Sequence, residues 1–300
     1  MSEHDGRYAP SPSGPLHLGN LRTALIAWLF ARSQGGRFLL RIEDLDPQRS
    51  RAAHEEAQIA DLRAIGLDWD GEIVRQSERR ERHREAFEAL GAAGRTYPCW
   101  CTRAEVRQAA SAPHGSQGAY PGTCRELSSV ERSARERHGP PRAWRLDARG
   151  ADVVFTDRLH GARRGTVDDF VLWRGDGVPA YNLAVVVDDA DQRVGEVVRG
   201  DDLLDTTPRQ VLLCTLLGLD VPRYAHVPLL LGSGGRRLAK RDGAVTLEEW
   251  RDAGGSTAQL VSWLAASIGL ADRGVSKTPA ELIGGFDVRR LGRTATMLEP

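Results

Sequence analysis

The chain has 300 residues, 41% hydrophobic and 27% charged, enough for one to two domains with a sizeable core. Its 41 basic and 41 acidic side chains cancel, so a nucleic-acid partner would have to be met by a local basic patch and not by a global positive field. Four cysteines are too few for a disulfide scaffold, no stretch nears ~18 uninterrupted apolar residues, and the opening "MSEHDGRYAP" lacks a leader pattern; the expected setting is the cytoplasm, away from membranes.

In chain order, residues 6–9 and 37–42 read as strands around a helical pattern at 20–34, in which Leu21, Ala24, Leu25, Trp28 and Leu29 recur at helical spacing. The stretch "PSPSGP" before that helix breaks regular structure, so strand, rigid turn and helix follow one another. A helix start placed this way presents unpaired backbone N–H groups and suits a phosphate. Helical patterns follow near 50–65 and 78–93, the second rich in charge and read as a solvated face. At Tyr97 the character changes: "YPCWCTRAEVRQAASAPHGSQGAYPGTCRE" mixes cysteines with turn residues, as an inserted module does. A charged helical stretch and short strands near 152–156, 170–174 and 194–199 come next. An apolar helix spans 207–218, with Cys214 inside it as a core thiol, and "YAHVPLLLG" reads as a buried strand. A glycine-rich basic loop, "GSGGRRLAKRDGA", then leads to helices near 246–252 and 257–268. Alternating strands and helices argue for an open, largely parallel α/β sheet interrupted by residues 97–175.

The common glycine-rich phosphate loops are missing from the sequence. What stands at the phosphate position is His17-Leu18-Gly19-Asn20, and late in the chain Arg237-Leu238-Ala239-Lys240-Arg241. These resemble the HIGH and KMSKS signatures of the class I aminoacyl-tRNA synthetases. The words "RYAPSPSGPLHLGNLRTAL", "LLRIEDLDPQRS", "YPCWCTR", "YPGTCR", "YNLAVVVDDA" and "VVRGDDLLDTTPRQ" are similar to the glutamyl-tRNA synthetase group over nearly the whole chain. Only 59 residues follow Arg241, too few for a helical anticodon-binding domain, so the resemblance is to the truncated glutamyl-Q tRNA(Asp) synthetase family.

That resemblance implies a Rossmann-like parallel-sheet catalytic domain, halved as 1–96 and 176–235. It also implies a zinc-containing insertion at 97–175, and a KMSKS-like loop with a short helical subdomain at 236–300. It implies activation of L-glutamate with ATP, without tRNA, and transfer of glutamate to the queuosine base of tRNA(Asp), by a monomer. The rival functions are a synthetase that charges a tRNA 3′ end and an inactive RNA- or protein-binding paralogue. His17 and Lys240 are implied as catalytic, and His17, Gly19, Asn20, Leu238 and Lys240 as the ATP site, with Mg2+ on the phosphates. Gly19 is expected to let adenosine approach the backbone. His17 as a mere helix-start residue and Lys240 as a solvated cation are the plain alternatives. The glutamate pocket is implied to be Arg7, Tyr8, Ala9, Pro10, Ser11, Glu43, Tyr181 and Arg199. Arginine forks onto carboxylates, and Glu43 at a strand end would take the α-ammonium. The plain reading of Glu43 is a salt bridge to Arg41 or Arg22, and Asp44 and Asp46 are expected to be structural. Cys99, Cys101 and Cys124 suggest a structural zinc on chemical grounds. For the fourth ligand His114 and His138 are the chemical favourites; the family pattern instead implies Tyr120, with His114 the alternative.

Overall fold

The structure, a computed structural model, describes residues 2–110, 120–232, 245–272 and 275–297. Its centre is β1 (Gly6–Tyr8), three buried residues paired in parallel with β2 (Phe38–Ile42) on one side and β9 (Glu196–Gly200) on the other. Beyond β2 lies β3 (Val74–Arg75). Beyond β9 lie β10 (Arg223–Val227), β6 (Asp152–Asp157) and β7 (Gly161–Thr166), giving the order β3-β2-β1-β9-β10-β6-β7. Every adjacent pair is parallel except β6 with β7. Residues 152–166, expected inside the insertion, therefore belong to the main sheet.

The chain leaves β1 toward β2 and returns later to β9, so the direction of strand addition reverses between β1 and β9. Ligands of open parallel sheets bind at such a reversal, beyond the carboxyl ends of the strands.

One face of the sheet is covered by α1 (Leu18–Arg32), in which every residue from Ala24 to Ala31 is buried. Its far side is closed by α8 (Leu247–Asp252), α9 (Thr257–Ser267) and α10 (Pro279–Ile283), which bring Leu247, Leu260, Leu264 and Leu282 into the α1 core. Each such leucine contributes ~1.5–3 kcal/mol on burial. The C-terminal helices thus complete the core of the first half. Arg22, buried in α1, pins this arrangement by donating to the Pro228 carbonyl at 2.6 Å and to Ser267 Oγ at 3.1 Å. It is not the partner of Glu43.

The other face carries α3 (Arg80–Ala92), α6 (Tyr181–Asp191) and α7 (Thr207–Leu217), with Leu90, Leu183, Leu213 and Cys214 in one core. The sequence pattern assigns no element to 181–191, because its Val185–Val187 run has the β-branched character of a strand. The expected 207–218 helix ends at Gly218, whose φ of 66° suits glycine. The apolar run at 224–232 is broken at Pro228 into β10 and the short β11 (Leu230–Leu231), which pairs with β12 (Thr296–Met297).

The insertion has its own antiparallel sheet of β4 (Thr96–Cys99), β5 (Ala143–Leu146) and β8 (Val171–Arg174), in the order β4-β5-β8. It also carries α4 (Arg103–Ala110) and α5 (Ser129–His138), a capped and wholly solvent-facing helix. Phe87 of α3 packs on Trp144 and Trp173 and fastens the module to the main body.

Candidate active site

The phosphate position is built by a cap. α1 begins at Leu18, two residues earlier than the sequence pattern suggests, because His17 and Asn20 form a reciprocal capping box. His17 Nδ1 accepts from the Asn20 backbone N–H at 3.3 Å, and the His17 backbone N–H donates to Asn20 Oδ1 at 3.2 Å. His17 is thus the N-cap and does not lie in the first turn. With Nδ1 an acceptor, the neutral ring carries its proton on Nε2. A Cβ added at Gly19 would lie 3.0 Å from His17 Cε1 and Nδ1, so the glycine makes room first of all for the imidazole.

Leu238 and Lys240 lie outside the described residues, as does His114. Both flanks of 233–244 reach the α1 start. Val245 accepts from the Leu18 N–H at 2.9 Å, Thr246 forms a bridge with His17, and Leu230 Cβ stands 3.6 Å from the added Gly19 Cβ.

The loop after β1 is fixed by α2 (Ala52–Ala64): Gln58 Nε2 donates to the Ser11 carbonyl at 3.0 Å and to the Gly14 carbonyl at 2.6 Å. The Glu43 N–H donates to the Pro10 carbonyl at 2.9 Å, joining the ends of β1 and β2. Ala9, Pro10, Ser11, Glu43 and Arg199 thus gather at the carboxyl edge of the sheet, and Tyr8 turns into the α1 core.

Charge is dense there. Asp189 accepts from Arg7 Nε at 3.0 Å and from Arg41 Nη1 at 2.7 Å, all three side chains being buried. Burial opposes its ionisation, but Arg41 and Arg7 outweigh burial and hold Asp189 below the usual carboxylate range. The Arg7 fork, expected to face a ligand, is therefore engaged by Asp189, with Nη2 at 3.4 Å. Glu43 meets Arg41 Nη2 at 3.4 Å, one of the two ion pairs anticipated for it, and burial pushes its carboxyl above the usual range against the pull of Arg41 and Arg7. Asp44 is structural, accepting from the Ser77 N–H at 2.8 Å, and Asp46 accepts from the Gln48 N–H at 3.1 Å.

Tyr181 opens α6 with 40% of its surface exposed, while its hydroxyl sits in the fields of Glu43, Arg199 and Arg7. Arg199 is different from Arg7. Its nitrogens donate to His226 Nε2 at 3.0 Å, Gln210 Oε1 at 2.7 Å and Thr207 Oγ1 at 2.8 Å, all neutral acceptors. A buried guanidinium held only by neutral groups keeps its attraction for an anion. Asp189, Gln58, Gln210 and His226 escaped the sequence reading, which anticipates Arg41 only as an ion-pair partner of Glu43. The available signals were the paired acids in "VVVDDAD", a basic residue inside "LLRI", and a lone histidine inside an apolar strand.

In the insertion, the Sγ atoms of Cys99, Cys101 and Cys124 lie within 4.8 Å of one another. Tyr120 Oη lies 3.4 Å from Cys99 Sγ and 3.5 Å from Cys101 Sγ, and it accepts from the Cys124 N–H at 2.9 Å. Zinc–sulfur bonds of ~2.3 Å in a tetrahedron put ligand atoms about 3.8 Å apart, close to these separations. Without a metal, the hydrogen bond with Cys124 and burial push the Cys99 thiol up to about 12, against the pull of Arg145, whose Nε donates to Cys99 Sγ at 3.2 Å. The donor set fits a closed structural zinc site. His138, by contrast, is exposed and hydrogen-bonds the Ala134 carbonyl at 2.7 Å.

Residues 5–278 match the family described as tRNA synthetases class I (E and Q), catalytic domain. A glutamyl-Q tRNA(Asp) synthetase of Nocardia farcinica is 61% identical over 98% of this chain and 92% of its own length. One from Symbiobacterium thermophilum is 54% identical over 96% and 94%. Among solved structures, a glutamate tRNA ligase of Elizabethkingia meningosepticum superposes with a TM-score of 0.83 at 29% identity, covering 98% of this chain and 66% of that one. The chain belongs to the class I tRNA synthetases of the E and Q type, alongside relatives named glutamyl-Q tRNA(Asp) synthetase.

Proposed function

We propose that this protein activates L-glutamate with ATP, without tRNA, and transfers the glutamyl group to the queuosine base at the wobble position of tRNA(Asp). The observation that carries the amino-acid half is Arg199, a buried cation with three neutral acceptors, on the same sheet edge as Glu43, whose carboxyl burial pushes above its usual range. An α-amino acid with a second carboxylate answers both: its ammonium repays the desolvation of Glu43 and a carboxylate compensates Arg199. The Tyr181 hydroxyl feels the charges of both, and residues 9–11, tied to Glu43 through the Pro10 carbonyl, line the wall. Arg7 adds charge to the pocket through a side chain that Asp189 holds still.

The α-carboxylate oxygen attacks the α-phosphorus of ATP, pyrophosphate leaves, and glutamyl-adenylate forms. Both reacting groups are anions, so positioning and charge stabilisation lower the barrier. His17 Nε2–H donates toward the phosphate chain at the α1 N-terminus, where Gly19 and Asn20 hold the ring. Lys240 is five residues from the anchored Val245, a span of at most about 18 Å, and the resemblance gives its ammonium the role of a second cation on the same phosphates. The resemblance assigns Leu238 to the same ATP site. Mg2+ on the nucleotide would neutralise phosphate charge. Zinc on Cys99, Cys101, Cys124 and Tyr120 would order the insertion, with no part in the reaction.

The transfer half rests on resemblance to relatives of matching length. A glutamate–tRNA ligase of Methylorubrum extorquens is 44% identical, but this chain spans only 62% of it. The test is transfer of labelled glutamate, with ATP, onto tRNA from queuosine-making and queuosine-lacking strains. Label on the first alone supports the proposal. Equal label on both assigns 3′-end charging instead, and no label with no ATP–pyrophosphate exchange assigns a binding-only paralogue.

A further inference from the structure

We infer that Asp157 and His226 are positioning residues for substrate recognition: they fix the Arg199 guanidinium in the orientation that receives a glutamate carboxylate. The inference deepens the pocket assignment above and rests on it.

Three elements meet at Arg199. From β9 its Nε reaches His226 Nε2 on the neighbouring β10 at 3.0 Å, so that nitrogen must be an acceptor. The His226 proton is then on Nδ1, and Asp157 at the end of β6 takes it through Oδ2 at 2.7 Å. Asp157 is itself immobilised. The same Oδ2 accepts the His226 backbone N–H at 3.1 Å, and Oδ1 accepts the Leu159 and His160 N–H groups at 2.9 Å each. Both side chains of the Asp157–His226 pair are fully buried. The Tyr224 ring lies parallel to the imidazole within 14°, and Thr207 and Gln210 of α7 close the remaining side.

The imidazole separates orientation from neutralisation. Arg7, in the same pocket, is gripped directly by Asp189 and so has its charge answered within the protein. Arg199 is gripped just as firmly, but the carboxylate stands one ring away. Its direction is set while its charge is left for the substrate. Burial, reinforced by the nearby Arg199, holds His226 below its ordinary range in spite of Asp157, which preserves the acceptor at neutral pH.

Asp157→Asn is the informative variant because it changes almost no volume. Its amide, turned to Nδ1, donates where the carboxylate accepted. The ring proton then moves to Nε2, donor against donor with Arg199. The expected result in ATP–pyrophosphate exchange is a glutamate KM raised about tenfold or more, with the ATP KM within about twofold. His226→Gln, which keeps an acceptor, should stay well below His226→Leu in its effect on glutamate KM. Nitrogen chemical shifts of the wild-type ring should place the proton on Nδ1. Unchanged glutamate KM in Asp157→Asn, an equal rise for ATP, or a proton on Nε2 would each overturn the relay. Arg199→Lys separates the two levels. An unchanged glutamate KM there overturns the pocket assignment and the relay's role with it. A raised KM there with Asp157→Asn unaffected overturns the relay alone.

Discussion

A methyl group at position 19 would meet the His17 imidazole at 3.0 Å, closer than neighbours of a real Cβ normally stand. The ring can yield only by loosening its Nδ1 bond to the Asn20 N–H, and with it the capping box. Gly19→Ala should therefore displace the His17 Nε2–H proposed to meet the phosphates while the helix still forms. The expected outcome is a fall of about tenfold or more in the exchange rate with glutamate KM little changed, since small misplacements of a positioning group are costly. Saturation kinetics in each substrate check it; an unaltered rate would mean the ring has no part in the chemistry. Asn20 illustrates why single residues are hard to read from sequence. It departs from the second histidine of the motif, but its side chain closes the cap on His17, a role visible only once the backbone turn is known.

At the scale of elements, α6 is held through its acids. Asp188 accepts from Arg79 at 2.6 Å, Gln76 at 2.8 Å and His83 at 2.9 Å, while Asp189 holds Arg7 and Arg41. Asp189→Asn would leave the buried Arg7 without its anion and Arg41 with only the longer contact to Glu43, a loss of about 3–5 kcal/mol measurable as a lower urea midpoint. A change under about 1 kcal/mol would show that the arginines find other partners. The insertion depends on a different device. Among the described residues its thiol cluster packs Tyr97 and Tyr120 with partly buried Trp100, Val106 and Leu127, a small core for a long segment. Chelation of metal should expose residues 97–130 to proteolysis while the main sheet stays protected, and pure protein should carry about one zinc per chain. A metal content near zero would remove this account. The sequence disclosed this module through its cysteines, and α1 and α7 through their apolar spacing. It concealed α6, whose valine run looks like a strand until the packing of α3 and α7 selects helix. It also concealed β6 and β7 as part of the main sheet, because pairing between strands so far apart in sequence, as of Asp157 with Tyr224, leaves no local trace.

For the whole molecule, the buried ion network makes stability a function of pH in two separate windows. His226 in the folded chain binds a proton less readily than an ordinary histidine, whose value is about 6.5. Below about pH 6.5 the unfolded chain gains a proton that the folded chain refuses, so this contribution is full above that value. It is lost as pH falls toward the lowered folded value. Asp157, Asp188 and Asp189 are held below their ordinary range despite burial, by His226, by His83 and Arg41, and by Arg41 and Arg7 respectively. Their contribution stays intact until about pH 4 and is lost only as pH falls through those lowered values. Asp61 works in the opposite sense: burial pushes it up to about 6, so between pH 6 and 4 the folded chain holds a proton that the unfolded chain releases. The raw stability profile mixes these signs, and the His226 share must be read as a difference. Urea midpoints of the wild type and His226→Gln, taken from pH 8 to pH 5, should converge as pH falls below about 6.5. A constant gap between the two from pH 8 to pH 5 would mean that His226 does not enter the fold as a neutral ring, and that Arg199 is not held by the bond assigned to it.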